Sequence, residues 1–290
     1  MTKTPHSFPP LFISHGSPMT ALEPREAGRF VQQLGQALDQ QFGRPRAVLA
    51  LSAHSLSRAP VLLAGPRHHA VYDFGGFDPK LQTLRYDAEG APELAQQIMT
   101  LAAQAGLPMH QLTQGGLDHG IWTPLRYIYP EADVPVLPLA FSPRQSPAEQ
   151  YALGELLAPL ADQGVLILGS GSLTHNLGLV FGQGRPPAID AAEIPASAQF
   201  REWMRARAAA GDWQSLQAYR SQAPHAAEMH PTDEHLLPFF IAAGAGGRSE
   251  PALRLHASLT FGSLAMDAYA FGDSAPRLAA ALQGVEERTL

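Results

Sequence analysis

The 290-residue chain contains no cysteine. That absence excludes disulfide scaffolds, thiolate zinc sites, cysteine nucleophiles and cysteine-ligated iron–sulfur clusters, so any bound transition metal must draw its protein ligands from His, Asp or Glu. Charge is sparse as well: 16% of residues are Asp, Glu, Lys or Arg, and 20 basic against 26 acidic side chains leave a net charge of −6. A mildly acidic chain lacks the clustered cations that neutralise phosphates, which argues against a nucleic-acid partner. Long apolar runs are missing too. The longest nearly apolar stretch, residues 236–247, falls short of the ~20 residues that span a bilayer, and the opening MTKTPHSFPPLFISHG carries no signal-peptide core. These features predict a cytoplasmic protein with no membrane association.

Several motifs are absent. There is no G-x-x-x-x-G-K-[ST] phosphate loop, no G-x-S-x-G nucleophile elbow and no H-E-x-x-H zinc helix. The segment GSGSLTHNLG fails the dinucleotide fingerprint because Thr174 stands where its third glycine belongs. No repeat of 20–50 residues recurs, which excludes solenoids and propellers.

What the chain does have is 12 histidines, the commonest metal ligand and the side chain best suited to acid–base work near neutral pH. It also has an alternating pattern. Short apolar runs at residues 11–14, 47–52, 61–64, 134–141 and 165–168 read as buried strands. Helical patterns fall at 23–42, 92–105 and 147–160, with more polar ones at 196–210 and 213–220. This alternation predicts an α/β fold: one large domain, residues 1–290, with a central, mostly parallel or mixed sheet flanked by helices. Residues 253–271 read as extended and fit antiparallel edge strands. Ligands of such sheets bind beyond the carboxyl ends of the strands. His15, His54 and His175 each follow a predicted strand, which places the active-site cleft there.

His225, His230 and His235 lie five apart with Pro231 between the last two, so they cannot form one helical face of ligands. His225 and His230 are expected to be structural or surface groups, His6 to lie in a terminal segment, His68 and His69 in a loop, and His110 and His256 in strands.

Six segments occur in order: PPLFISHGSPM (9–19), LSAHS (51–55), YDFGGF (72–77), LDHGIWTPL (117–125), LGSGSLTHNL (168–177) and HPTDEHLLP (230–238). Together they resemble the class III extradiol ring-cleavage dioxygenases, above all the 4,5-DOPA extradiol dioxygenase branch. The resemblance implies that His15, His54 and His235 bind a metal and that His119 and His175 are catalytic. His175 would act as acid–base residue or complete the coordination sphere. It also implies a small catecholic substrate and O₂ as reaction partners. The chain departs from the family at Ser55, where Trp is frequent, and at Tyr72, where His is frequent.

The chemistry of the residues agrees with that resemblance. Three protein ligands leave positions for both catechol oxygens and for O₂. Fe(II) is the competent ion because zinc has no redox chemistry, although an imidazole site accepts Zn(II) too. The common two-His, one-carboxylate iron triad makes Glu234 a rival to His235, and only one of two adjacent side chains should face the metal. Phe74, Phe77 and Trp122 are candidates either for the substrate pocket or for the core. Two other readings use the same histidines: a zinc hydrolase that activates water, and a MEMO-like protein that binds a metal or peptide without turnover.

Overall fold

The computed structural model describes residues 7–182, 184–247 and 251–289; His6 lies outside them. An eight-stranded sheet runs through the molecule in the order His110–Leu112, Val61–Leu63, Val136–Ala140, Ala47–Ser52, Val165–Gly171, Leu11–Ser14, Ala268–Ala270, Leu253–His256. The central four, Val136–Ala140 to Leu11–Ser14, are mutually parallel. Ala268–Ala270 and Leu253–His256 add antiparallel strands at one side, as expected for that extended segment. On the other side Val61–Leu63 pairs antiparallel with Val136–Ala140 and parallel with His110–Leu112. The sheet is therefore mixed with a parallel centre.

The central strands are buried along their whole length, which is why they read as continuous apolar runs. Side chains alternate between two cores. Leu49, Leu51, Leu137 and Ile167 face one, and Leu11, Ile13, Val48 and Leu168 face the other. Helices Pro92–Gln104, Pro147–Leu157, Pro195–Ala209 and Leu237–Gly246 cover the first core. Helices Arg25–Phe42, His119–Ile128 and Ala275–Thr289 cover the second.

Several predicted elements shift at their ends. The helix over 147–160 stops at Leu157, and a 3₁₀ segment, Ala158–Gln163, follows with a proline in its first turn. The pattern at 213–220 divides into two short helices, Trp213–Gln217 and Tyr219–Gln222. His110 and His256 lie in strands as expected. His68 does not lie in a loop, because Arg67–His68 pairs antiparallel with Ala88–Glu89. Among the described residues no helix is long and apolar enough to cross a membrane.

Candidate active site

Five histidines meet at the carboxyl ends of the parallel strands, three of them carried there by the sheet and two by helix starts. His15 directly follows Leu11–Ser14, and its N–H donates to Gly171 O at 3.0 Å. His54 follows Ala47–Ser52 after Ala53, whose N–H donates to Ser170 O at 3.0 Å. His175 lies in the loop beyond Val165–Gly171, tied by its N–H to Met229 O at 2.9 Å. His119 opens the helix His119–Ile128, and His235 stands just before Leu237–Gly246. Glycine makes that last approach possible. A Cβ on Gly171 would lie 2.1 Å from His235 O, the atom that accepts the Ser172 N–H at 2.8 Å.

The imidazoles converge. Ring centroids are 5.0 Å apart for His15 and His54, 5.6 Å for His15 and His235, and 5.1 Å for His54 and His235. His119 lies 4.0 Å from His54, and His175 stacks on His235 at 3.4 Å with the planes 9° apart. His15, His119 and His235 are buried, while His54 keeps a quarter of its side chain exposed.

Hydrogen bonds set the direction in which each ring presents its free nitrogen. Ser170 Oγ donates its only hydrogen to Gly120 O, so it accepts from His15 Nδ1 at 3.0 Å, and the His15 lone pair sits on Nε2. His235 Nδ1 donates to Glu234 Oε1 at 3.0 Å, and His235 Nε2 is buried with no partner among the described residues. His119 Nδ1 donates to Asp73 at 3.0 Å, again leaving Nε2 free. A buried nitrogen without a partner is costly unless something fills it.

The cluster fits a divalent metal: ligand atoms of His15, His54 and His119 all lie within 4.8 Å of one another, and so do those of His175, Glu234 and His235. His15 Nε2 and His54 Nε2 are 3.1 Å apart, close to the about 3.0 Å separating two ligands at right angles on ~2.1 Å bonds. Three of the rings, His15, His54 and His175, are also disfavoured from protonating, as metal ligation by imidazole requires. Burial and the neighbouring imidazoles hold His15 well below the usual histidine range. Burial, with His119 and His235, pushes His54 down to about 3. His175 is pushed to about 3 by burial and by His235. Glu234, although burial opposes its ionisation, is held down at about 2 chiefly by its hydrogen bond from His235.

A cavity of about 690 Å³ opens over these rings. Phe74 and Phe77 line it together with Met19, Leu177, Phe181 and Met266. Trp122 does not; it is fully buried in the core, with Nε1 donating to Val71 O at 3.1 Å. His230 is buried, with Nε2 donating to Leu173 O at 2.8 Å, a structural role. His225 is half-exposed beside Glu228.

Sequence reasoning missed two acidic residues. Asp73 accepts both Nδ1–H and the backbone N–H of His119, each at 3.0 Å. Asp118, the sequence neighbour of His119, instead accepts from Ser52 at 2.6 Å and from Ser55 at 2.5 Å. The aspartate in the YDFGGF segment was the available signal, but 46 residues separate Asp73 from His119.

Comparison with known proteins agrees with this architecture. Residues 4–271 match the family described as the catalytic LigB subunit of aromatic ring-opening dioxygenase. A 4,5-DOPA dioxygenase extradiol of Beta vulgaris is 36% identical over 262 residues, covering 90% of this chain and 95% of the relative. The protein of the same name in Escherichia coli K12 is 33% identical over 264 residues, covering 89% and 92%. An uncharacterized Escherichia coli K12 protein of known crystal structure superposes with a TM-score of 0.71 at 27% identity, over 91% of this chain and 99% of that one. This chain belongs to the LigB family of catalytic subunits of aromatic ring-opening dioxygenases and is an extradiol ring-opening enzyme.

Proposed function

We propose that the protein is a non-haem Fe(II)-dependent extradiol dioxygenase that opens the ring of a small catechol, DOPA-like or related, with O₂ to give a semialdehyde. The observation that carries this reading is the convergence of His15, His54 and His235, with the orphaned His235 Nε2 buried at the floor of an aromatic-walled cavity. These three residues would hold the metal. Glu234 supports His235 rather than replacing it, because its carboxylate takes the Nδ1–H and turns Nε2 inward. When bound, Fe(II) supplies the redox chemistry between catechol and O₂ that Zn(II), which the same imidazoles would also accept, does not.

The remaining work falls to the chain's own groups. His119 presents Nε2 as a base, oriented by Asp73, and accepts a catechol hydroxyl proton. His175, stacked over His235 and held neutral by burial, is placed to receive or return the second proton. Phe74 and Phe77 exclude water around the ring. The rim carries both signs: Arg25 lies beside Glu23 at 2.9 Å, with Asp190 also in the lining. An amino-acid substituent on the ring, as in a DOPA-like catechol, meets complementary charges there.

The test is to load metal-free protein anaerobically with Fe(II) or Zn(II), add a panel of catechols, and follow O₂ uptake together with formation of a yellow product. The expected result is O₂ consumption equal to product formed, with Fe(II) alone. Absence of uptake across the panel in iron-loaded protein would sink the proposal. Ester hydrolysis by the zinc form would instead favour the hydrolase reading, and metal binding without any turnover the MEMO-like one.

A further inference from the structure

Asp118 stands at the N-cap of the helix His119–Ile128, yet its side chain accepts no hydrogen bond from that helix. An aspartate there ordinarily accepts from the backbone one turn ahead, an interaction worth about 1 kcal/mol. At this helix the carboxylate at the first turn comes from elsewhere: Asp73 takes the His119 N–H. The Asp118 carboxylate turns the other way and accepts from Ser52 Oγ through Oδ1 at 2.6 Å and from Ser55 Oγ through Oδ2 at 2.5 Å.

Those two serines bracket His54. Ser52 Oγ also accepts the His54 backbone N–H at 3.2 Å, and the Ser55 N–H donates to Ser52 O at 3.0 Å, closing the turn that carries the imidazole. The carboxylate is 6% exposed and has no Lys or Arg partner among the described residues. A buried charge without a cation is expensive to keep unless something nearby compensates it. The neighbouring glycine leaves room for the arrangement: a Cβ on Gly120 would lie 2.4 Å from Ser52 Oγ, 3.1 Å from Asp118 Oδ1 and 3.1 Å from His15 Nδ1.

We propose that Asp118 is a positioning residue which, by gripping Ser52 and Ser55, locks the His54 turn in the geometry that presents its imidazole to the metal. The proposal rests on the reading of His54 as a ligand. It also gives Ser55 a reason to be there: a tryptophan at that position has no hydroxyl for Oδ2. The carboxylate acts through the two serines on one ligand.

The test is a Co(II) titration of metal-free protein, followed by the visible absorption of the bound ion, with the melting temperature of each metal-free variant measured alongside. Ser52→Ala/Ser55→Ala is expected to bind Co(II) about 10- to 100-fold more weakly than wild type, with the metal-free fold retained. Ser55→Thr keeps a hydroxyl and is expected to bind within about three-fold of wild type. In a His54→Ala background the double substitution should cost nothing more, because the ligand it acts on is gone. Wild-type affinity in the double variant, or an equal loss with and without His54, would overturn the clamp while leaving His54 a ligand. A His54→Ala protein that binds Co(II) like wild type would instead remove His54 as a ligand, and the clamp with it. Should the double variant fail to fold, Ser55→Ala alone carries the same comparison.

Discussion

Asp73 and His119 are joined twice: one carboxylate accepts both the Nδ1–H of the ring and the backbone N–H of the same residue, each at 3.0 Å. The ring is thereby fixed in orientation and tautomer, with Nε2 toward the cavity. In return the ring's hydrogen bond and charge hold Asp73 below the usual carboxylate range against the upward push of burial.

Asp73→Asn tests that coupling. An amide in the same place offers its NH₂ as readily as its oxygen, so the His119 tautomer is no longer dictated. We expect kcat to fall by about 10- to 100-fold while the metal content stays near that of wild type. Steady-state kinetics with metal analysis on the same samples decides it. A parallel loss of metal would place Asp73 in ligand support rather than proton handling.

The site histidines should separate by readout. His15→Ala, His54→Ala and His235→Ala are expected to lose stoichiometric metal, whereas His175→Ala retains it and loses turnover by roughly 10²–10⁴-fold, the range of a general acid–base group. Full turnover in His175→Ala would refute its role as proton carrier. Metal loss in that variant would make it a fourth ligand.

The parallel centre of the sheet was legible because its strands are buried on both faces and so appear as unbroken apolar runs. Two helices were not. Leu237–Gly246 is buried on every side and has no polar face to give it a period, and His119–Ile128 contains Gly120 and Pro124, which break the pattern of a helix. The same divide runs through the site. His15, His54 and His175 each lie just beyond a strand end, so topology alone suggested their convergence. Contacts between distant segments carry no such signal. Asp118 adjoins His119 in sequence yet serves the turn of His54, while the partner of His119 comes from a loop 46 residues earlier. The hydrogen bond between the neighbours Glu234 and His235 was likewise invisible in the sequence, because it depends on side-chain geometry.

Buried neutral histidines make the metal-free protein acid-sensitive. Burial lowers His230 to about 4, and burial with Arg201 and Arg254 does the same to His256. An unfolded histidine titrates near 6.5, so between these values the unfolded chain binds more protons and stability falls as the pH is lowered. Each residue contributes up to about 3 kcal/mol, fully present above about pH 6.5 and lost as the pH approaches 4. The melting temperature of chelator-treated protein should therefore drop progressively from pH 7 to pH 4.5. His54 and His175 deepen the fall in the metal-free state. A bound metal excludes protons from its ligands, so the loaded protein should resist acid better. A flat profile in metal-free protein would contradict the burial of these rings.

Substrate preference should reside in the rim. Among the described residues lining the cavity, Arg25 is the one Lys or Arg side chain, and Glu23 at 2.9 Å shares its charge. A catechol bearing a carboxylate is expected to pair with that guanidinium, and plain catechol, which has no anionic group, is not. Because the contact is remote from the reacting ring and equal in ground and transition states, its removal should raise KM and leave kcat alone. Arg25→Ala is therefore expected to raise KM for a carboxylate-bearing catechol by about three- to ten-fold, in keeping with the modest worth of an exposed ion pair, and to leave KM for plain catechol unchanged. Equal effects on both substrates would show that Arg25 shapes the cavity rather than selecting among its ligands.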